Sequence, residues 1–255
     1  MKYKIVDTYI EIDLGEENKE IWEKFHTEED KEELKIVISY PQYCYGMDVL
    51  DIKDMSHSLR QGKSLLFADQ KWKNARIYGS EEHEITTLAE MQLYSYLLSR
   101  ESLLIHSSLV DYQGNGIMFI GPSGIGKTTQ AELWNKYQDA TILNGDLVFV
   151  RKNEDGFYGY GSPWHGSSPY YEDAKVKLKA MVMLEQGPKN KIHELTGFER
   201  LKRLMDQVFV PHWQEELMDG TLETINKLLT EIPMYFLSCT PDEKAVNLLK
   251  KTLNV

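Results

Sequence analysis

Only two cysteines occur in this 255-residue chain, Cys44 and Cys239. They form no CxxC pair, so a disulfide framework is excluded; a reducing compartment is expected, and both read as core residues. Positive charge is scarce as well: 29 Lys and Arg stand against 40 Asp and Glu, a formal net charge of −11. No Lys/Arg-rich block appears, which argues against a nucleic-acid partner. Long hydrophobic runs are missing, and the opening stretch MKYKIVDTYIEIDLGEENKE is broken by charges every few residues. No membrane partner is therefore expected, and the protein should be soluble and cytoplasmic. There is no internal repeat, no low-complexity tract and no histidine spacing that suggests a structural zinc.

What is present is enough apolar material, 42% of residues, for a large core. Residues 1–85 read as a β-rich section packed on a core formed by residues 86–255. Within the first section, residues 3–13 alternate like a strand, and Glu16 to Glu33 reads as an amphipathic helix with a solvated acidic face. Lys35 to Tyr40 and Ser64 to Ala68 read as further strands. Thr87-Leu88-Ala89-Glu90 has the form of a capping box, opening a helix that runs to about Ser99.

The strongest signal is Gly121-Pro122-Ser123-Gly124-Ile125-Gly126-Lys127-Thr128, which matches G-x-x-x-x-G-K-[ST]. The apolar run Ile117 to Ile120 precedes it and a helix from Thr129 to Tyr137 follows, the strand, loop and helix context of a phosphate-binding loop. In such a loop the backbone N–H groups through Thr129 cradle phosphates, Lys127 reaches the β/γ-phosphates and the Thr128 hydroxyl ligates Mg²⁺. Leu103 to Asp111 and Gly116 to Ile120 read as a hairpin, so the loop grows out of an antiparallel pair. A mixed sheet with helices packed on it, an α/β fold, is the expectation. A second hairpin runs from Asp146–Val150 through Asn153-Glu154-Asp155-Gly156 to Phe157–Tyr160. Val176 to Leu184 and Ile232 to Cys239 are later strands. Thr196-Gly197-Phe198-Glu199 and Thr240-Pro241-Asp242-Glu243 read as helix starts.

Three further features bear on chemistry. Opposing residue numbers in a hairpin sum to a constant, so a turn between Tyr112 and Gly116 sets His106 opposite Gly121 to Ile125, beside the phosphates. The bland alternative is a satisfied core histidine. Asp146 follows an apolar strand near the loop, where a carboxylate could ligate Mg²⁺ or accept the proton of an attacking hydroxyl; the alternative is a turn aspartate after Asn144-Gly145. The loop Gly161 to Tyr171 offers Trp164, His165, Gly166 and Ser167 as a surface for an acceptor, or is a surface turn around a buried tryptophan. Glu185 reads as a solvated group at a strand end.

The run His106-Ser107-Ser108-Leu109-Val110-Asp111, then GPSGIGKTT, then an acidic residue after the next strand, resembles the HPr kinase/phosphorylase-like family. That group is similar to the phosphoenolpyruvate carboxykinase-type nucleotide-binding fold, and the resemblance covers about residues 85 to 255. It implies a P-loop kinase that uses ATP and Mg²⁺ to phosphorylate a serine hydroxyl. His106 falls on the family histidine, and Asp146 on the metal-binding or basic acid. The chain departs from the HPr-specific enzymes in two places. Gly145-Asp146 stands where they carry Asp-Asp, and Pro163-Trp164-His165-Gly166 stands where they carry Glu-x-Arg-Gly. The latter is similar to smaller relatives associated with bacterial peptide-modification clusters, which implies a peptide or small-protein acceptor such as a precursor peptide. Two alternatives stay open. A small-molecule kinase for free serine or a sugar would need an enclosed pocket behind Trp164, and a non-catalytic nucleotide-binding module would follow if Gly145 marks lost catalysis. An oligomer is compatible with the sequence.

Overall fold

In the computed structural model, which describes residues 1–13, 19–40, 42–45 and 47–255, the alternating N-terminus is a hairpin where one strand was expected. Strands β1 (Lys2–Ile5) and β2 (Thr8–Glu11) pair antiparallel about Val6 and Asp7, whose φ angles of 53° and 54° make the tight turn. A β-branched valine is a poor advertisement for that conformation, which is why the turn is not legible in the sequence. Helix α1 (Lys19–Glu23) is far shorter than the helix expected over Glu16 to Glu33, of which residues 16–18 lie outside the described residues. Burial of Trp22 and Phe25, with Trp22 edge-on to Tyr3 at 5.1 Å, fixes the segment in place of helical continuity.

Strand β3 (Leu34–Ser39) follows, then a small hairpin of β4 (Gln42–Cys44) and β5 (Met47–Val49). After these come β6 (His57–Gln61), β7 (Ser64–Ala68), β8 (Asn74–Tyr78) and α2 (Glu82–Leu98). The sheet order is β1-β2-β3-β8-β7-β6, with β2, β3 and β8 mutually parallel. Helix α2 packs on β3, β6, β7 and β8. It starts five residues before the expected capping box, and the Thr87 hydroxyl donates to the His83 carbonyl at 2.9 Å as an interior residue does. The compact unit that holds it is Met1–Ser99, the other being Arg100–Val255.

The second unit opens with β9 (Ser102–Tyr112) and β10 (Asn115–Ile120), the expected hairpin, then α3 (Lys127–Gln138) and β11 (Thr141–Asn144). Strands β12 (Leu147–Asn153), β13 (Gly156–Tyr160), β14 (Lys175–Gln186) and β15 (Lys191–Glu194) lead to α4 (Gly197–Met205) and α5 (Glu215–Glu231). Strand β16 (Met234–Cys239) and α6 (Glu243–Leu253) complete it. The order is β10-β9-β12-β13-β14-β16-β15, with β11 on β9, and β10 also pairs parallel with β14. The loop strand is thus antiparallel to one neighbour and parallel to the other, and the α/β mixed sheet is observed. One face carries Ile105, Met118, Val148 and Met181 under α5; the other carries Phe119, Val182 and Leu237 under α3 and α6.

Helix α5 and strand β15 were not anticipated. The former runs through Asp219-Gly220, a pair that ordinarily marks a turn, because Leu217, Thr221, Ile225 and Leu228 bury a continuous stripe. Helix α6 is capped by Asp242, whose Oδ1 accepts from the Ala245 N–H at 3.0 Å, and not by Thr240. The carboxylate wins the cap because it is the stronger acceptor, and the Thr240 hydroxyl donates to it at 2.9 Å. Helix α4 does begin after Thr196, without a side-chain cap bond.

Candidate active site

Strand β9 changes partners on both edges at His106–Ser107. On one edge β10 ends with Ile120 opposite Ser107, and on the other β12 begins with Leu147 opposite His106. Two connecting segments, 121–126 and 145–146, leave the sheet at this split, as ligand-binding loops do in open sheets. Within the first, Gly121, Gly124 and Gly126 have φ angles of 149°, 76° and 109°, values that L side chains rarely adopt. Gly126 caps α3 without a side-chain bond, so no cap side chain competes with an anion for the N–H groups of the helix start. The first turn of α3 is tied down at two points. The Ser108 hydroxyl donates to the Lys127 carbonyl at 2.9 Å, and the Thr128 hydroxyl donates to the Gly145 carbonyl at 3.0 Å.

Lys127 is only 6% exposed. Its Nζ donates to the Gly121 and Pro122 carbonyls at 3.0 and 3.3 Å and lies 3.0 Å from His106 Nε2. The β10–β9 ladder ends at Ile120 opposite Ser107, so His106 lies one residue beyond the last pair, and it is the Lys127 ammonium, bonded to the Gly121 carbonyl, that joins the histidine to the loop. On its other side His106 Nε2 is 3.2 Å from Asp146 Oδ1. Loop, histidine and carboxylate thus meet at one point. Burial pulls the Lys127 ammonium below its ordinary pKa, against the charge of Asp146. Burial also lowers the His106 pKa, the Lys127 charge adds to this, and Asp146 opposes it. A neutral imidazole follows at pH 7. Its Nε2 can accept from Lys127 or donate to Asp146, but one atom cannot do both.

Asn144 positions Asp146, and nothing in the sequence distinguished it from an ordinary turn residue. Its side chain is fully buried, its Oδ1 accepts from the N–H groups of Asp146 and Leu147 at 2.9 and 3.0 Å, and its Nδ2 donates to the Ser162 and Trp164 carbonyls at 3.2 and 3.0 Å. One amide therefore fastens the carboxylate turn to the 161–171 loop. The Ser107 N–H adds a bond to the Asp146 carbonyl at 2.9 Å.

The same loop supplies an answer to Gly145. A Cβ placed there would lie 1.8 Å from Ser168 Oγ and 2.6 Å from Ser168 Cβ, so the serine fills the space of a side chain at 145. Gly166 lies against Asp146, where a Cβ would come within 2.3 Å of Oδ2. Ser167 is exposed, and the His165 ring stacks on Tyr171 at 4.4 Å with Nδ1 against the Ser168 carbonyl. Trp164 departs from the expectation of an acceptor-gripping surface: it is 7% exposed and packs edge-on to Phe149 at 5.9 Å. Its apolar area is worth more in the core than at the surface, and the Asn144 bond to its carbonyl holds it inward.

A cleft of about 590 Å³ opens on the side of the loop bounded by Gly124, Gly126 and Thr129. Its opposite wall is Glu185 and Gly187 after the buried part of β14, and Thr240 after β16. These are the carboxyl ends of the parallel strands β10, β14 and β16. Gln186 Nε2 donates to the Ile125 carbonyl at 3.3 Å and joins wall to loop. Cys239 at the cleft edge is buried, which pushes its thiol up to about 11 and keeps it protonated. No sequence signal marked this wall, because its residues are ordinary in type and Thr240 lies 53 positions beyond Gly187. Thr128 and Asp146, joined through the Gly145 peptide, offer the hydroxyl and carboxylate oxygens that suit Mg²⁺, and the cleft continues the loop with room for a nucleoside.

No family model matches the chain. In sequence it is similar to an HPr kinase/phosphorylase of Mycoplasmopsis pulmonis (strain UAB CTIP), 25% identical over 108 residues, which make up 42% of this chain and 32% of that protein. The chain thus matches about a third of the length of that curated relative. Among solved structures, the Hpr(Ser) kinase/phosphatase from Coxiella burnetii superposes with a TM-score of 0.34 at 9% identity, over 59% of this chain and 92% of that one. So slight a superposition adds nothing to the sequence match.

Proposed function

We propose that this HPr kinase/phosphorylase-like chain is an ATP- and Mg²⁺-dependent kinase that transfers the γ-phosphoryl group to a serine-type hydroxyl of a peptide or small protein. The observation that carries the reading is the meeting of Lys127 Nζ, His106 Nε2 and Asp146 Oδ1 within 3.0 and 3.2 Å at the end of a phosphate-binding loop. The cleft between Thr129 and Gly187 would take the nucleoside, and the loop N–H groups with Lys127 would hold the phosphates. Mg²⁺, when bound, neutralises charge on the β- and γ-oxygens.

Everything else falls to the chain. The loop N–H groups and α3 hold the phosphates, and Lys127 exchanges its bonds to the Gly121 and Pro122 carbonyls for phosphate oxygens. Asp146 accepts the proton of the acceptor hydroxyl, because it is anchored from behind by Asn144 while its carboxylate stays 32% exposed. His106, neutral, fixes the distance between ammonium and carboxylate and keeps them from collapsing into an ion pair that would silence both. Positioning and electrostatics of this kind carry most of the catalysis in phosphoryl transfer.

The test is Asp146→Asn, assayed for transfer from γ-labelled ATP to serine peptides and small proteins. Transfer should fall below about a tenth of the wild-type rate, with ATP affinity in EDTA unchanged. A variant that keeps more than that removes Asp146 from the role of base.

A further inference from the structure

The segment between α4 and α5 is hydrogen-bonded to β9 beside the site. The His106 N–H donates to the Gln207 carbonyl and the Phe209 N–H to the Leu104 carbonyl, both at 2.9 Å, and Ile105 pairs antiparallel with Val208. Residues 207–209 therefore continue the sheet edge that β10 vacates when it turns into the phosphate loop. Register then decides which way their side chains face. Opposed residues share a face, so Val208 follows Ile105 into the core, where it is 8% exposed, while Gln207 stands opposite His106 and Phe209 opposite Leu104 on the face of the site. Phe209 is nevertheless 46% exposed, and Trp213 four residues on is 36% exposed. A large aromatic side chain kept at the surface on the face of the site, with a second four residues on in sequence, suits a ligand with an apolar group.

Resting on the kinase reading above, we infer that Phe209 and Trp213 form the acceptor-docking surface, and that the acceptor is a peptide segment with a large apolar side chain two residues from the phosphorylated serine and cationic residues beyond it. The spacing follows from strand geometry. The Asp146 carboxylate meets the imidazole of His106 at 3.2 Å, and Phe209 lies two residues along the sheet and one strand across from His106, so the rise of two residues in an extended acceptor, about 6.6 Å, covers most of the offset from the hydroxyl to Phe209. The charge follows from the flanks: residues 206–219 include Asp206, Glu215, Glu216 and Asp219 and no Lys or Arg. Such a surface favours Lys or Arg in its partner. Recognition falls to Phe209 and its neighbours, with Trp164 serving the core behind them.

The experiment uses the full chain, Mg-ATP and eleven-residue serine peptides carrying Phe, Gly or Asp two positions before or after the serine, with Lys or Glu at the ends. Binding is read by fluorescence anisotropy and transfer by label. The Phe peptide with Lys ends should be the best substrate, and Phe209→Ala should raise its KM about tenfold while leaving the Gly peptide and ATP affinity unchanged. Equal loss for Phe and Gly peptides would overturn the docking surface and leave the kinase reading standing. Phe209-dependent binding of the Phe peptide without transfer would support the surface and overturn the kinase reading. A panel that neither binds nor is phosphorylated overturns both.

Discussion

Gly145 precedes Asp146 in the carboxylate turn, and the structure makes the reason for a glycine there measurable. Its φ lies outside the left-handed region, so backbone strain does not demand glycine there. Space does: the Cβ of Gly145→Ala would sit 1.8 Å from Ser168 Oγ and 2.6 Å from Ser168 Cβ, against ordinary contacts beyond about 3.4 Å. Ser168 is 8% exposed and its Oγ accepts from the Tyr170 N–H at 3.3 Å, so it cannot simply rotate into solvent. Overpacking of this kind costs about 1–3 kcal/mol. Ser168→Gly removes both colliding atoms, so Gly145→Ala/Ser168→Gly should recover most of the loss, a coupling of about 1–3 kcal/mol. Ser168→Ala, which leaves the Cβ in place, should recover less. Urea denaturation of the wild type, the single variants and the two double variants, followed by near-UV circular dichroism, reads these differences. A loss under about 0.5 kcal/mol for Gly145→Ala, or effects that simply add, would refute the claim that Ser168 occupies the side-chain space of position 145.

Three other outcomes are expected. Mg-ATP should raise the melting temperature, and Lys127→Ala should remove most of that shift; equal ATP affinity in a calorimetric titration would sink the assignment of the loop. Trp164→Ala should destabilise the chain by about 3–5 kcal/mol as a truncated core aromatic, measured by denaturant unfolding; a stable variant with only a raised acceptor KM would return Trp164 to the acceptor surface. Glu90 in α2 has its pKa raised to about 7 from 4.5 by burial. The folded state holds this proton longer than the unfolded one, so stability is fully present below about pH 4.5 and is lost as pH rises through 7. Glu90→Gln should abolish that loss and stabilise the protein at pH 8 by at most about 3 kcal/mol; an unchanged pH profile counts against the burial of this carboxyl.

The phosphate loop was legible because it is local. Three glycines at positive φ, a lysine and a threonine within eight residues write their own conformation, and the hairpin before the loop brought His106 to the end of its ladder, one residue past the last pair. Asp146 was legible for the same reason, as the first carboxylate after a strand that follows the loop helix. The structure of the site beyond these residues depends on contacts between segments distant in sequence. Whether Asn144 is a turn residue or a buried clamp depends on the carbonyls of Ser162 and Trp164, 18 and 20 positions away. Gly145 reads as a missing acid until Ser168 arrives beside it. Trp164 could face solvent or Phe149 with equal local propensity, and packing of the second hairpin decided for Phe149. Residues 207–209, which carry no pattern of their own, became part of the site only because β10 leaves the edge of β9 open at His106. Local dihedral preference and short-range register are properties of sequence; which side chains share a face or compete for one space is settled only when distant strands are brought into the same sheet.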